Sequence, residues 1–227
     1  MKPIILITSC AKFRTNSYQD ADRDTWLKEW GGIEHKFLLG RGCENLSEDE
    51  LVLDVDDGYT SVPEKCNAGL RWAINNGYTN VFQADADTYI VIPRLLSSGW
   101  EKYDCVGCLV GSPLFPGGGC GYGLGPRALE ALVAVKPPFR WQDPPRHNEK
   151  GSDLLTGLVL ARAGIPMTHD TRYWTGDGQQ VLFPHRQKGI WSTGLITAHL
   201  GQCQRYEPSW VYECHENFME GECSVTF

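Results

Sequence analysis

Thr79-Asn80-Val81-Phe82-Gln83-Ala84-Asp85-Ala86-Asp87-Thr88-Tyr89-Ile90-Val91-Ile92 is the stretch whose reading decides the fold. The apolar pair Val81-Phe82 leads into Asp85-Ala86-Asp87, and a second apolar run, Tyr89 to Ile92, follows at once. Two carboxylates at the exposed end of a buried strand repel each other and are costly to desolvate unless a cation joins them. A hard divalent ion supplies that charge, because magnesium-like ions take one or two carboxylates and complete their shell with substrate phosphates. The stretch is therefore expected to end a central strand in a metal-diphosphate site. The competing reading is a solvated strand end. Spacing alone does not choose, since Asp-x-Asp recurs at Asp20/Asp22, Asp22/Asp24 and Asp54/Asp56. The first two lie in a polar segment, whereas the third follows Leu51-Val52-Leu53 and is a real rival.

The 227 residues suit one large domain or two small ones, and 41% apolar content is ample for a core. No apolar run approaches the length of a membrane span. The opening Met1-Lys2-Pro3-Ile4-Ile5-Leu6-Ile7-Thr8 is too short and too quickly polar for a signal peptide and reads as a first buried strand. The expectation is a cytoplasmic protein with no membrane anchor. The net charge of -7 equals the charge of the seven acidic residues in 44–57, a segment without Lys or Arg, so the rest of the chain is balanced and an anionic partner is not excluded. Nine cysteines without a signal peptide argue for mostly reduced thiols. Cys105-x-x-Cys108 sits in a strand-like run and reads as buried structural thiols rather than a redox pair. Cys203, Cys214, His215 and Cys223 would offer zinc ligands, but their spacing fits no standard pattern.

Taken in order, Pro3 to Thr8 predicts a strand, 17–30 a helix with Trp26, Leu27 and Trp30 at helical spacing, His35 to Leu39 a second strand and Leu51 to Val55 a third. Ser61-Val62-Pro63-Glu64 has the form of a capping box opening a helix that Asn75-Asn76-Gly77 stops. After the central strand, Pro93 opens a short helix and Tyr103 to Val110 reads as one strand. Phe115 to Gly125 is glycine-rich, which lets backbone approach a ligand, or simply makes a tight turn; it lacks the Gly-Lys-Ser/Thr ending of a phosphate loop. Helices follow at Pro126 to Val135 and Asp153 to Ala163, with Asp153 in the first turn, where a carboxylate favours the helix dipole. Residues 136–151 form a long loop mixing Arg140, Arg146 and Lys150 with Phe139 and Trp141. A second basic-aromatic segment, Arg172 to Trp191, leads to a strand ending at His199. Strand and helix alternate through residue 110, which predicts an α/β fold with a largely parallel sheet.

Arg23-Asp24-Thr25-Trp26, Phe37-Leu38-Leu39-Gly40, Asp54-x-x-Asp57-x-Tyr59 with Lys65 and Trp72, Asp85-Ala86-Asp87, Gly117 to Gly123, Ser152-Asp153-x-x-x-Gly157 and the late His199 form an ordered series over residues 4–200. Together they resemble glycosyltransferase family 31, the inverting β-1,3-galactosyl-, N-acetylglucosaminyl- and Fringe-type enzymes. Asp54 to Asp57 then belongs to a separate block, which favours the pair 85/87 as the metal motif. The family's usual Lys two places before the first Asp is Gln83 here, and the Glu before the base is Ser152.

The resemblance implies a GT-A fold, a Rossmann-like α/β/α sandwich with a mostly parallel sheet, in a single domain. Residues 1–92 would form a nucleotide-binding half and 93–227 an acceptor-binding half. It implies manganese (or magnesium) and a nucleotide-sugar donor, usually UDP-linked. Asp87 and His199 are the implied metal ligands, with Asp85 on the metal or the ribose, and Asp153 the implied base. Thr8, Ser9, Arg23, Asp57 and Lys65 are candidates for the nucleotide side, and Gly117, Gly118 and Gly119 for the sugar side. The acceptor stays open between a glycan or lipid-linked sugar and a hydroxymethylated pyrimidine in DNA, since basic-aromatic segments suit either. A nucleotidyltransferase, a non-catalytic sugar-binding module and a metal- or thiol-dependent interaction protein are the alternatives.

Overall fold

The computed structural model describes residues 1–29, 33–136, 151–174, 194–201 and 207–223. The strands are β1 (Pro3–Thr8), β2 (Glu34–Leu39), β3 (Glu50–Val52), β4 (Asn80–Asp85), β5 (Thr88–Ile90), β6 (Cys105–Gly107), β7 (Leu109–Val110), β8 (Phe115–Pro116), β9 (Tyr122–Leu124), β10 (Thr168–His169), β11 (Tyr173–Trp174) and β12 (Thr197–His199). The helices are α1 (Ala11–Thr15), α2 (Tyr18–Asp24), α3 (Trp26–Glu29), α4 (Val62–Asn75), α5 (Ile92–Ser97), α6 (Pro126–Ala134), α7 (Ser152–Arg162) and α8 (Pro208–Cys223).

A seven-stranded sheet runs β10-β6-β9-β4-β1-β2-β3. Only β9 is antiparallel to its neighbours in that sheet, β4 and β6; the other pairs are parallel. β1 lies between the central strand β4 and β2, and is an unbroken apolar run because both its faces are covered. Ile5 and Ile7 face one core with Trp26, Phe37, Phe82 and Phe218, beneath α2, α3 and α8. Ile4 and Leu6 face the other core with Leu70, Leu129 and Leu160, beneath α4, α6 and α7. The result is an α/β/α sandwich with a mostly parallel sheet, as the alternation of elements predicts. A three-stranded sheet, β11-β12-β5, and the hairpin β7-β8 stand beside it. Among the described residues no helix is long and apolar enough to cross a membrane.

Several local expectations change. The helix expected over 17–30 breaks at Thr25, whose hydroxyl donates to the Ala21 carbonyl (2.6 Å) while Trp26 turns fully into the core and donates to Asp22 (2.8 Å). That back-bond competes with helix continuation. The capping box does not form: Ser61 ends a 3-10 turn (Tyr59–Ser61) and its side chain caps nothing. The strand expected from Tyr103 to Val110 is divided at Cys108, whose carbonyl accepts from Gly117, while the next amide, Leu109, donates to His169 Nδ1. The Tyr122–Leu124 strand replaces part of the expected glycine turn. Within the acidic 44–57 segment, Asp49 and Glu50 are paired and shielded, whereas Asp54 and Asp56 are paired but exposed. Arg23 reaches Asp49 (2.7 Å), Arg14 reaches Glu50 (2.9 Å), and Arg41 reaches Asp54 and Asp56.

Candidate active site

The carboxyl ends of β1, β2 and β4 lie side by side, and in an open α/β sheet that edge is where ligands bind. Parallel register sets Thr8 beside Asp85, and the Ala86 amide donates to the Thr8 carbonyl (3.0 Å). Asp85 and Asp87 then flank a tight reversal into β5. The Thr88 hydroxyl fixes it by accepting the Asp85 amide (3.1 Å) and donating to the Gly119 carbonyl (2.9 Å).

β12 pairs antiparallel with β5 and sets His199 opposite Thr88. The imidazole Nε2 therefore comes to 3.2 Å from Asp87 Oδ2. Two glycines permit this. A Cβ on Gly119 would overlap the His199 ring, and one on Gly201 would overlap the Asp87 carboxylate. On the other side of the Gly118–Cys120 turn, the Gly118 amide donates to Asp153 Oδ2 (3.1 Å), and the Leu154 amide donates to Asp153 Oδ1 (2.8 Å). One short turn thus meets His199, the partner of Asp87, at Gly119 and Asp153 at Gly118.

Electrostatics mark the same place. Burial, then repulsion from Asp87 and Asp153, pushes the Asp85 carboxyl up to about 7. Burial pulls the His199 imidazole down, but its hydrogen bond to Asp87 and the charges of Asp87, Asp85 and Asp153 outweigh it and hold the ring above its usual value. A cation relieves both strains. Two carboxylates and one imidazole nitrogen are a donor set that manganese accepts. Among the described residues no three His, Cys, Asp or Glu side chains close into a ready-made metal cluster.

An Asp held protonated when its unfolded counterpart ionises makes the fold less stable as pH rises from about 4 towards 7. Asp85→Asn is accordingly expected to raise the melting temperature of the metal-free protein at pH 7.5 by about 2–4 °C, near 1 kcal/mol for this chain length. At pH 4 the change should vanish, and a calorimetric scan at the two pH values checks it.

The residues expected on the nucleotide side are held by protein contacts. Lys65 is buried and donates to the Ser9 carbonyl (2.7 Å) and to Asp57 Oδ1 (2.6 Å). Asp57 also accepts from the Gly40 and Ala11 amides, each at 2.6 Å. Burial raises the Asp57 pKa, but Lys65 and these two amides pull it below the ordinary carboxylate value. Thr8 accepts from Gln83 Nε2 (2.9 Å), and Ser9 accepts from Gln19 (2.9 Å). Arg23 directs its N–H groups to Asp49, Asp20, Glu50 and Gln19, and stacks over Phe37; it reaches Ser9 through Gln19. Gly117 donates to Cys108, so the glycine stretch packs protein groups closely in this structure.

Gly201 is a site residue that sequence reasoning missed; a glycine two places after His199 was the available signal. The basic-aromatic residues 137–150 and 175–191, and the side chains of Cys203 and Cys223, lie outside the described residues. Cys214 is buried in the core, and His215 shares a hydrogen bond with the Tyr89 hydroxyl (2.8 Å).

No protein-family description and no curated protein matches the chain. A crystal structure similar to it is that of a Desulfovibrio desulfuricans G20 protein provisionally described as a nucleotide-diphospho-sugar transferase. The identity is 12% and the TM-score 0.46, over 74% of this chain and 79% of that one.

Proposed function

We propose that this chain is a metal-dependent, inverting glycosyltransferase of the GT-A type, moving a hexose from a nucleotide sugar, read as a UDP-sugar, to a hydroxyl acceptor. The observation that carries the reading is the meeting of Asp87 with His199 across the Gly118–Cys120 turn from Asp153, at the carboxyl ends of β1 and β4. The ordered motif series that resembles glycosyltransferase family 31 falls on the same residues.

Asp85, Asp87 and His199 are assigned as ligands for manganese or magnesium, which when bound neutralises charge building on the departing diphosphate. Before anything binds, the Asp87–His199 contact already turns both side chains to one point. Asp153 is assigned as the base. It takes the proton of the acceptor hydroxyl as that oxygen attacks the anomeric carbon from the face opposite the diphosphate, which inverts the centre. The Gly118 and Leu154 amides each occupy one lone pair of its two oxygens, so the carboxylate is oriented yet keeps acceptor capacity. Thr8, Ser9, Asp57 and Lys65 shape the nucleotide side through the loops that follow β1 and β2. Arg23 acts on it through Gln19. Residues 1–92 serve the nucleotide and 93–227 the acceptor.

The test is UDP release from a panel of UDP-sugars with manganese or with EDTA, followed by glycan, lipid-linked sugar and hydroxymethylated-DNA acceptors. Release of pyrophosphate from UTP and a sugar 1-phosphate instead would indicate nucleotidyl transfer, and sugar binding without release a non-catalytic module. Asp153→Asn is expected to lower sugar transfer at least about a hundredfold, the usual worth of a general base. Its Kd for UDP, measured by titration calorimetry, should stay within about twofold, because the base acts on the acceptor.

A further inference from the structure

Beneath the carboxylates, between the sheet and helices α4, α6 and α7, lies a small pocket, with about 20 Å3 open to the centre of a water molecule. Its walls are mostly apolar, with Leu70, Leu132, Leu155 and Val159 among them. Gln83 also lines it, is 3% exposed, and its Oε1 has no hydrogen-bond partner. The amide orientation is fixed: Nε2 donates to Thr8 Oγ1 (2.9 Å) and to the Leu6 carbonyl (3.3 Å). A flipped amide would set two oxygens against each other at Leu6, so Oε1 stays on the pocket side. The other polar walls have partners. Asn67 donates to the Leu132 carbonyl, and the Tyr122 and Thr156 hydroxyls meet each other at 3.3 Å. A buried carbonyl oxygen without a donor is rare in a folded protein and asks for a ligand.

Position says which ligand. Gln83 and Asp85 are two residues apart on one strand, so their side chains share a face, roughly 7 Å apart along the chain. Ser152, another wall residue, directly precedes Asp153. The pocket thus lies next to the strand end that carries Asp85 and next to the residue that precedes Asp153. Its volume takes one or two heavy atoms. Its apolar sides and lack of countercharge reject an ionised group. A carbon bearing one hydroxyl donor suits both the wall and the orphan oxygen.

We propose that this pocket takes the hydroxymethyl group of a hexosyl donor, with Gln83 Oε1 accepting its hydroxyl proton; this rests on the glycosyltransferase reading above. Gln83 would then be the residue that selects hexose over pentose. The test compares UDP-glucose and UDP-galactose with UDP-xylose, which lacks that group, by calorimetric Kd and by UDP release. The wild type is expected to favour at least one hexose over xylose by at least about tenfold. Gln83→Met removes the Thr8 contact for both donors alike, and should lower hexose kcat/KM about tenfold more than xylose kcat/KM. Leu155→Phe, which crowds the same pocket from α7, should act in the same direction. Equal use of hexose and xylose by the wild type would overturn the proposal. So would a Gln83→Met loss shared equally by both donors, which would mark a resident water or a structural role. If no UDP-sugar binds at all, the glycosyltransferase reading falls and this proposal with it; turnover without discrimination removes the proposal alone.

Discussion

Asp87→Ala is expected to reduce manganese-dependent UDP release by at least about a thousandfold, the loss of several kcal/mol of charge stabilisation at the leaving diphosphate. Asp87 is the carboxylate on which the site converges. Its main-chain carbonyl accepts from Leu200, its Oδ2 meets His199, and Gly201 leaves room for it. Removing it would delete one proposed ligand and free another, because the His199 ring loses the partner that orients it and raises its pKa. The His199 pKa should therefore fall in the variant, which NMR titration of the ring can follow. Manganese affinity, read by paramagnetic resonance of the free ion, should fall with activity. The internal control is the rival pair. Asp54→Ala removes an exposed carboxylate bound to the half-exposed Arg41 and should leave both readouts unchanged. A variant at Asp87 that binds manganese and turns over donor like the wild type would sink the metal assignment.

How far these features were legible depends on whether they are local. β1 and β4 were readable because a strand covered on both faces must be continuously apolar, and the Asp pair had to fall at the open end of such a strand. α4, α6 and α7 were readable to within a residue or so from their stops and apolar faces. β9 was not, because Gly123 signals a turn locally and becomes a strand residue only when β4 and β6 lie on either side of it. The Thr25 break was hidden for a similar reason: helical spacing of Trp26, Leu27 and Trp30 cannot report that Trp26 turns away to fill the core. The site follows the same division. Asp85 and Asp87 were visible from chemistry. His199 and Asp153 stood out only through motif order; the meeting of His199 with Asp87 depends on β12 pairing with β5 across more than a hundred residues. The orphan oxygen of Gln83 had no sequence signal beyond being an unexpected residue two places before Asp85.

Lys65→Met is expected to destabilise the protein by about 3–5 kcal/mol, the usual cost of leaving half of a buried ion pair behind. The Lys65 side chain is 1% exposed and that of Asp57 18%, so solvent screens their 2.6 Å contact weakly. Methionine keeps much of the side-chain volume, and the loss therefore reports charge and hydrogen bonding. The two amides of Ala11 and Gly40 still reach Asp57, which places the expected loss towards the lower end of that range. For a chain of this length that corresponds to a fall in melting temperature of roughly 6–12 °C. The sign of the pH dependence follows from Asp57. Its folded pKa lies below the unfolded value, so the stability it adds is present above about pH 4 and disappears as pH falls through the folded value. Wild type and Lys65→Met should therefore differ most near neutrality and converge in acid. The pair also ties the β1 loop, through Ser9, to the β2 loop, through Gly40, along the edge assigned to the nucleotide. Weaker UDP binding should accompany the lost stability. A double-variant cycle with Asp57→Asn separates the pair from its surroundings: coupled partners give a double variant less unstable than the sum of the singles, whereas strict additivity would mean that Lys65 stabilises the loops through Ser9 alone.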